Sequence, residues 1–293
     1  MMVPRSGTGS IMARITAALD GLSPTERRLA EFMLEYPGNL PAYTASELAD
    51  VARVSNATVT RFIQRLGYGG FNEARRQVRL EQAAGSPLML LGQEPAGDTL
   101  RAHLELSARN LAETYAQLSE EKLNRIAQAM IGARRVWFAG FRNNYSFAAY
   151  LRWQVFRVLE TSILLPVAGE TLAEYAVSMG KGDVVVVFAL RRSTAASVHL
   201  VTHAAKAGAE VLCITDRVTQ APGLATWVIR CQARATGALD NHVAVMGLSH
   251  FIATRVVELS GREGRRRMAK IEAAHEQFGE LPSDSGASDD HAG

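Results

Sequence analysis

The chain has 293 residues, which is enough for two domains, and its hydrophobic fraction of 47% is ample for packed cores. The formal net charge of +3 is too small to indicate a nucleic-acid partner by itself. No apolar run is long enough to span a bilayer, and the first ten residues lack the apolar stretch of a secretory signal. We therefore expect a cytoplasmic protein with no membrane partner.

Helices are predicted for the first eighty residues. After a disordered start over residues 1–10, a first helix spans Ile11 to Leu19. Ser23, Pro24 and Glu26 then predict a helix start, in which Ser23 caps the helix and Glu26 closes a capping box. The apolar positions that this second helix is expected to bury are Leu29, Phe32, Met33 and Tyr36.

Residues 44–66, TASELADVARVSNATVTRFIQRL, have the pattern of a helix-turn-helix. Thr44 and Glu47 predict a second capping box, the segment Arg53-Val54 ends the first helix, and Ser55 caps the next one. Gly67 follows at the position of a left-handed helix cap. In the second helix an apolar stripe at helical spacing is formed by Val59, Phe62, Ile63 and Leu66.

The opposite face of this second helix predicts contact with duplex DNA. Its polar side chains are of the types that read base edges in the major groove. Between Arg53 and Arg79 there are also six arginines and only one acid, Glu73, and such a basic face attracts phosphates. The alternative is an amphipathic helical hairpin whose polar face is only solvated. The predicted DNA contacts are Thr44, Ser55, Asn56, Thr58, Thr60, Arg61, Gln64 and Arg65.

A basic helix over Phe71 to Leu80 completes an all-α domain, predicted for residues 11–84. The Gly- and Pro-rich segment 85–97 predicts a linker. Two further helices are expected, one over Asp98 to Leu118 and one that Ser119 caps.

From residue 134 onward, short runs that are apolar on both faces alternate with helical patterns. Strands are predicted at 135–140, 162–167, 183–190, 210–216 and 227–231, and helices at 145–159, 171–179, 194–207 and 240–259. This alternation predicts a flavodoxin-like three-layer αβα sandwich, with a mostly parallel five-stranded sheet, over residues 98–277. A polar, disordered tail is expected over residues 278–293.

Two other features of this half, the cysteines and a basic run, do not indicate a catalytic or metal site. Cys213 and Cys231 lie in apolar runs without metal-ligand spacing, so we predict buried free thiols and neither a metal nor a cofactor. The basic run from Arg262 to Lys270 is interpreted as a solvated face or a helix end, with an auxiliary DNA contact as the alternative.

Ligands of open α/β sheets bind beyond the carboxyl ends of the strands. Two of the loops at that edge, 140–146 and 190–194, lead into helix N-termini, which favour anions, and their arginines add fork-shaped donors. We therefore predict a small anionic effector; the alternative is a set of ordinary cap and loop residues. The predicted effector contacts are Arg142, Asn143, Asn144, Arg191, Arg192, Ser193 and Thr194.

The segments 22–37, LSPTERRLAEFMLEYP, and 44–75, TASELADVARVSNATVTRFIQRLGYGGFNEAR, joined to this α/β domain, resemble the RpiR-type (MurR/RpiR) bacterial transcription regulators. The resemblance covers roughly Ile11 to Phe278. It implies a helix-turn-helix domain followed by a sugar isomerase (SIS) domain that binds phosphorylated sugars. A homodimer or tetramer would then place two recognition helices on a two-fold symmetric operator.

The SIS half departs from the loops of that family. The family's first loop has Gly-x-Gly and then Ser, where this chain has Gly140-Phe141-Arg142-Asn143-Asn144. The second loop is usually close to Ser-x-Ser-Gly-x-Thr, where residues 189–194 read ALRRST. Arginines thus replace glycines and hydroxyls, and the expected effector is a phosphosugar or a sugar-acid-like anion.

The alternative function is an enzyme, a sugar-phosphate isomerase or lyase of the SIS fold. Such chemistry needs a positioned base, for which Glu170, Glu174 and His242 are candidates, although helix starts also account for all three. His199 and His203 are four residues apart and are interpreted as part of an exposed helix face, not as metal ligands. We expect a regulator and not an enzyme.

Overall fold

A computed structural model describes residues 10–83, 99–191, 193–217, 219, 223–235 and 239–280. The chain divides into two compact units: one holds residues up to 110 together with 233–242, and the other holds residues 111–232 and those from 243 onward. The predicted linker 85–97 and most of the predicted tail lie outside the described residues, as do residues 1–9.

The first unit begins with five helices, as the sequence predicts. They are α1 (Ile11–Ala18), α2 (Pro24–Glu35), α3 (Ala45–Val51), α4 (Asn56–Arg65) and α5 (Phe71–Ala83). Short 3₁₀ turns at Leu19–Gly21 and Leu40–Ala42 separate some of them. Both predicted capping boxes are present, because Ser23 and Thr44 each exchange bonds with the Glu three residues later.

One hydrophobic cluster holds these five helices together. Val59, Phe62 and Ile63 of α4 are fully buried in it, and Leu29 and Met33 of α2 pack in the same cluster. The predicted burial is wrong for Phe32 and Tyr36, which are only half-buried. Their rings contact each other with centroids 5.3 Å apart.

The second unit contains a sheet of five parallel strands in the order β2-β1-β3-β4-β5. The strands are β1 (Arg135–Gly140), β2 (Ser162–Leu165), β3 (Asp183–Ala189), β4 (Glu210–Asp216) and β5 (Trp227–Cys231). This order confirms the predicted flavodoxin-like arrangement. β2 ends two residues earlier than predicted because Pro166 has no N–H to donate to the ladder.

Helices connect the strands and cover both faces of the sheet. α6 (Thr99–Tyr115) and α7 (Glu120–Gly132) come before β1, and α8 (Asn144–Phe156), α9 (Leu172–Ala176) and α10 (Ala195–Lys206) lie between strands. The side chains of β3 alternate between two clusters: Val186 packs with α7, α8 and α11 (Val243–Leu259), and Val187 packs with α10. The central strand is therefore buried on both faces, as its apolar run predicts.

The carboxyl-terminal helices differ from the prediction. The helix expected at 240–259 begins at Val243, and the basic run that follows belongs to a separate helix, α12 (Gly261–Phe278). Gly261, with φ 62°, allows the sharp change of direction of 105° between the two helices. No single described helix is long and apolar enough to cross a membrane, and only α11 and α12 taken together satisfy that test of length and composition.

The two cysteines are fully buried free thiols on neighbouring strands, as predicted. Burial raises the pKa of Cys213 to about 11 and that of Cys231 to about 12. Both thiols therefore remain protonated in the folded protein at neutral pH.

We predict that Phe62→Ala destabilises the first unit by about 3–5 kcal/mol, because a fully buried ring leaves a cavity. Denaturant unfolding followed by circular dichroism measures this loss. Gln64→Ala, on the exposed side of the same helix, is the control and should change stability by less than about 0.5 kcal/mol. Equal effects of the two substitutions would contradict the burial of α4.

We predict that neither thiol reacts with a disulfide reagent at pH 8 in the native chain, and that both react after unfolding. An unfolded thiol has a pKa of about 8.5, so the raised native pKa values stabilise the fold below that pH. This contribution is lost as the pH rises toward 11 and 12. Rapid native labelling of either cysteine would contradict its burial.

Candidate DNA-binding face and ligand site

The exposed side of α4 presents an ordered row of polar side chains. Asn56, Thr60 and Gln64 follow one another at four-residue spacing, and Arg61 flanks the row; we call these four residues the recognition face. All four are exposed. Asn56 Nδ2 donates to Ser46 Oγ of α3 at 3.3 Å, Thr60 Oγ1 to the Asn56 carbonyl at 3.1 Å, and Arg61 Nε to the Ala57 carbonyl at 3.3 Å. These bonds orient the row while its outer surface stays accessible.

Two hydroxyls predicted to contact DNA serve as helix caps. Thr44 Oγ1 accepts the Glu47 amide at 3.2 Å, and Ser55 Oγ accepts the Thr58 amide at 3.1 Å. Thr58 was expected on the exposed face, but it is only 5% exposed, and its hydroxyl lies 2.9 Å from Ser55 Oγ. Its position one turn into α4 places it on the buried side, so that prediction is corrected.

Arg65 is exposed, as predicted, but it also makes contacts that the sequence does not reveal. Its Nη2 donates to the Gly21 carbonyl at 2.6 Å, and its Nη1 lies 3.3 Å from Glu26 Oε2. The Ser23 amide, which donates to the Glu26 carboxylate, holds the pKa of Glu26 below its usual value, and the charge of Arg65 adds to this effect. Arg65 therefore fastens the end of α4 to the start of α2, while its side chain stays 42% exposed and its contact with DNA stays a prediction.

The turn of the helix-turn-helix contains a feature that the sequence does not reveal. Arg53 has φ 53°, a left-handed conformation that usually favours glycine. Its carbonyl accepts a bond from Arg28 Nη1 at 3.2 Å. Both arginines are exposed, so Arg53 in the turn and Arg28 of α2 add two guanidinium groups to the basic surface of this unit.

In the second unit, hydrogen bonds tie together the loops that follow β1, β3 and β4. The Asn144 side chain donates to the Leu190 carbonyl at 3.1 Å and accepts the Leu190 amide at 3.2 Å. The Asp216 carboxylate accepts the Arg191 amide and, at 2.7 Å, the Thr219 amide. Thr215 Oγ1 donates to the Ala189 carbonyl at 3.0 Å. The three loops thus form one connected edge of the sheet.

Asn144 was predicted to contact the effector, but it holds the scaffold together. It is buried, and both ends of its amide are used by Leu190. Gly140 is required beside it, because a Cβ there would lie 2.2 Å from the Asn144 carbonyl oxygen. Asp216 has a similar positioning role that the sequence prediction missed. In the sequence, this role of Asp216 is indicated only by its position at the end of the apolar run that forms β4.

The arginines of the two loops adopt left-handed backbone conformations. Arg142 has φ 58° and Arg191 has φ 45°. A side chain in this region costs about 1–2 kcal/mol, and such outliers concentrate at ligand sites. Arg142 and the neighbouring Asn143 are exposed, and Asn143 forms no side-chain cap on α8. Arg192 lies outside the described residues.

Only one of the two helix starts offers amides to an anion. At α8, the amides of Asn144, Tyr145 and Ser146 each donate to a carbonyl three residues earlier. The start of α10 is different, because its amides at Ala195 and Ala196 have no acceptor in the described part of the chain. Thr194 caps this helix through the Ser197 amide at 3.3 Å.

A hydroxyl beside this helix start also lacks a partner. Ser193 Oγ is shielded from solvent and has no hydrogen-bond partner among the described residues. The predicted anion site therefore narrows to the start of α10, where Ser193 and the first two amides lie together, with Arg142 and Arg191 on the connected loops.

Three of the side chains considered for catalysis or metal binding have other contacts. Glu174 accepts a bond from Thr171, and Glu170 accepts one from Tyr175. His203 Nε2 lies 2.9 Å from the Ala176 carbonyl. Within the described ranges, no group of three or more His, Cys, Asp or Glu residues could hold a metal ion.

Two family models match the chain. Residues 9–85 match the helix-turn-helix domain of the rpiR family, and residues 129–228 match the SIS domain. Together these matches span more than half of the sequence.

Named relatives align with part or most of the chain. The HTH-type transcriptional regulator YfhH of Escherichia coli is 30% identical over 155 residues, which cover 50% of this chain and 55% of YfhH. The bifunctional protein glk of Paraburkholderia xenovorans is 28% identical over 259 residues, which cover 86% of this chain. The match spans only 38% of the length of glk.

Solved structures show the same fold. The sugar isomerase domain of an RpiR transcription factor from Sphaerobacter thermophilus has a TM-score of 0.55 at 16% identity, covering 59% of this chain and 98% of that domain. The NanR protein of Vibrio vulnificus, complexed with ManNAc-6P, has a TM-score of 0.54 at 21% identity, covering 92% of this chain and 99% of NanR.

We predict that Asn144→Ala destabilises the second unit by about 1–3 kcal/mol, because the buried Leu190 amide and carbonyl lose their partners. Thermal unfolding and hydrogen exchange at the Leu190 amide measure the loss. Asn143→Ala is the matched control, since Asn143 is adjacent, exposed and makes no capping bond. Equal stability of the two variants would show that the Asn144 bonds to Leu190 do not stabilise this unit.

Proposed function

We propose that the chain, which matches a helix-turn-helix domain of the rpiR family followed by a SIS domain, is an RpiR-type transcriptional regulator. In this proposal it binds duplex DNA through α4 and a small anion at the sheet edge. One observation supports the DNA proposal most strongly. The apolar stripe of α4 is fully buried, while Asn56, Thr60, Arg61 and Gln64 point outward in one ordered row.

In this proposal, the recognition face reads base edges in the major groove. Asn and Gln make two-point bonds to adenine, Arg makes them to guanine, and Thr bonds a base or touches a thymine methyl. The exposed Arg28 and Arg53 contact phosphates, which position the helix without reading sequence. Thr44 and Ser55 contribute by fixing where their helices begin.

The proposal includes a homo-oligomer in the cytoplasm, bound to an operator with two-fold symmetry. Two half-sites one helical turn apart require two recognition helices, which a dimer supplies. We also propose the domain boundaries expected from the sequence: 11–84 for the DNA-binding domain, 85–97 for the linker and 98–277 for the SIS domain. The family matches at 9–85 and 129–228 support them.

The proposed effector is a phosphosugar or a sugar-acid-like anion. Two amides at the start of α10 and the Ser193 hydroxyl have no hydrogen-bond partner among the described residues, and the Arg142 guanidinium lies on a connected loop. All of these groups are donors suited to a phosphate or carboxylate. The ManNAc-6P bound to NanR, a protein of the same fold, supports this chemical class. The bound anion would then change operator affinity through a coupling free energy between the two sites.

We propose regulation without catalysis. An isomerase or lyase needs a base whose pKa lies near the working pH. The Thr171 hydroxyl, which donates to Glu174, lowers the pKa of that carboxyl, and this is the wrong direction for a base. Turnover of a sugar phosphate by the purified chain would favour the alternative, an SIS-fold isomerase or lyase.

We predict that Arg61→Ala weakens binding to duplex DNA from the region upstream of the chain's own gene by about tenfold or more, without changing thermal stability. Arg65→Ala should instead lower the unfolding temperature by about 2–4 °C, because the bonds to Gly21 and Glu26 are lost. Gel shifts at moderate salt and thermal melts separate the two roles. If Arg61→Ala binds DNA with unchanged affinity, Arg61 does not contact the DNA.

We predict that Arg142→Gly abolishes stabilisation of the native chain by sugar phosphates and sugar acids in a thermal-shift screen. Glycine accepts the left-handed backbone at this position, so the variant without ligand should melt within a few degrees of the native chain. Arg157→Gly, an exposed arginine at the end of α8, serves as the control and should keep the ligand response. Full ligand stabilisation of Arg142→Gly would contradict this assignment.

A further inference from the structure

Side chains from α6 and the turn after it bind the free edge of the sheet. β5 is the outermost strand beside β4, and an edge strand leaves a row of backbone groups without ladder partners. Thr114 Oγ1 of α6 accepts the amide of Gln232, the residue after β5, at 3.0 Å. The Gln117 side chain, two residues beyond the end of α6, donates to the Arg230 carbonyl. The carboxyl-terminal end of α6 is therefore bonded to the backbone of β5 and of the residue that follows it.

Three polar side chains on one side of α6 are buried, at positions where amphipathic helices usually carry apolar residues. We call them the α6 polar row: Ser107, Asn110 and Thr114. Ser107 Oγ accepts Asn241 Nδ2 at 2.8 Å, and Asn110 Nδ2 donates to the Arg234 carbonyl at 2.7 Å. Every member of the row thus binds a group in the chain that follows β5.

These bonds fix the register of α6. A slip of the helix by one turn would separate each donor from its acceptor and leave buried polar groups unpaired, which costs more than a typical hydrogen bond contributes. The bonds of Ser107 and Asn110 lie in the first compact unit, and that of Thr114 lies in the second. Because the units divide after Asn110, α6 belongs to both, and its polar row has bonds in each.

The other side of β5 leads to the proposed anion site. β5 pairs with β4, with Arg230 opposite Thr215 and Cys231 opposite Asp216. The Asp216 carboxylate accepts the amide of Arg191, in the loop where the anion is proposed to bind. One strand, β5, therefore separates the α6 polar row from the residue that holds this loop.

We propose that the α6 polar row carries the effect of the bound anion to the DNA-binding domain. An anion that engages the Arg191 loop acts on Asp216, and through the paired strands on the backbone groups that α6 binds. Directional hydrogen bonds tolerate little displacement, so α6 follows β5 instead of sliding over it. In the chain, α6 comes directly after the DNA-binding domain and the predicted linker. This inference rests on the proposed function and names the element that couples its two sites.

The test compares the DNA affinity of the full chain with and without an anion. Fluorescence anisotropy measures binding to duplex DNA from upstream of the chain's own gene, with ManNAc-6P and inorganic phosphate in separate arms. In the native chain the anion should change the Kd for DNA about fivefold or more. Thr114→Val keeps the side-chain size but removes the acceptor for the Gln232 amide, and the change should fall below about twofold. The variant should still bind DNA and still gain thermal stability from the anion.

Three further variants separate coupling from stability. Gln117→Ala removes an exposed side chain, so it should fold normally and still reduce the response. Thr114→Ser keeps the hydroxyl acceptor and should keep the native response. Val256→Ala removes part of a fully buried side chain on α11, outside the row, and should lower stability without loss of the response.

A ligand-free experiment tests the same connection. Asp216→Ala releases the Arg191 loop and should change DNA affinity severalfold in the native background, but less than about twofold in the Thr114→Val background. Additive effects of the two substitutions would overturn the proposal.

The other outcomes distinguish this proposal from the proposed function. A native response in both Thr114→Val and Gln117→Ala, or an equal loss of response in Val256→Ala, would overturn the role of the row and leave regulation by an anion intact. A native chain whose DNA affinity ignores an anion that stabilises it would overturn the row and the proposed regulation together. A chain that prefers no duplex over random DNA would overturn the proposed function itself.

Discussion

The proposed DNA-binding face depends on the burial of a single apolar stripe on α4. Because Val59, Phe62 and Ile63 are fully enclosed, the rotation of the helix about its axis is fixed, and with it the identity of the outward side chains. Ser55 fixes where the helix begins, and Arg65 fastens its end to Gly21 and Glu26. The recognition face is therefore a rigid surface, and rigid placement reduces the entropy lost when side chains engage bases.

Buried side chains also fix the geometry of the sheet edge, but there they are polar. Asn144 and Asp216 are buried, and their side chains bind backbone groups of neighbouring loops, so the loops keep their shape without a ligand. Around this scaffold, Arg142 and Arg191 hold left-handed conformations that glycine would adopt at lower cost. The strained residues lie in the same two loops in which arginines replace the glycines and hydroxyls of the usual phosphosugar loops that the resemblance implies.

Periodicity was sufficient to predict most of the fold. Apolar residues at helical spacing identified α2 and α4, and runs apolar on both faces identified five strands whose parallel order the structure confirms. Thr58, expected on the exposed face, is buried beside the apolar stripe, and periodicity does not reveal the bonds of the exposed Arg65 to Gly21 and Glu26. Nor does it reveal long-range bonds such as that between Asn144 and Leu190, which are 46 residues apart. α12 was missed as a separate helix because Gly261 changes the chain direction without a break in helical composition.

The proposed function requires that α4 reads sequence in duplex DNA. Selection of duplexes from a random library by the full chain tests it most directly, with and without a sugar phosphate. We expect enrichment of a two-fold symmetric motif with half-sites about one helical turn apart, and a change in the affinity for this motif when the anion is added. A selected pool indistinguishable from the starting library, at a salt concentration where non-specific binding is weak, would contradict it.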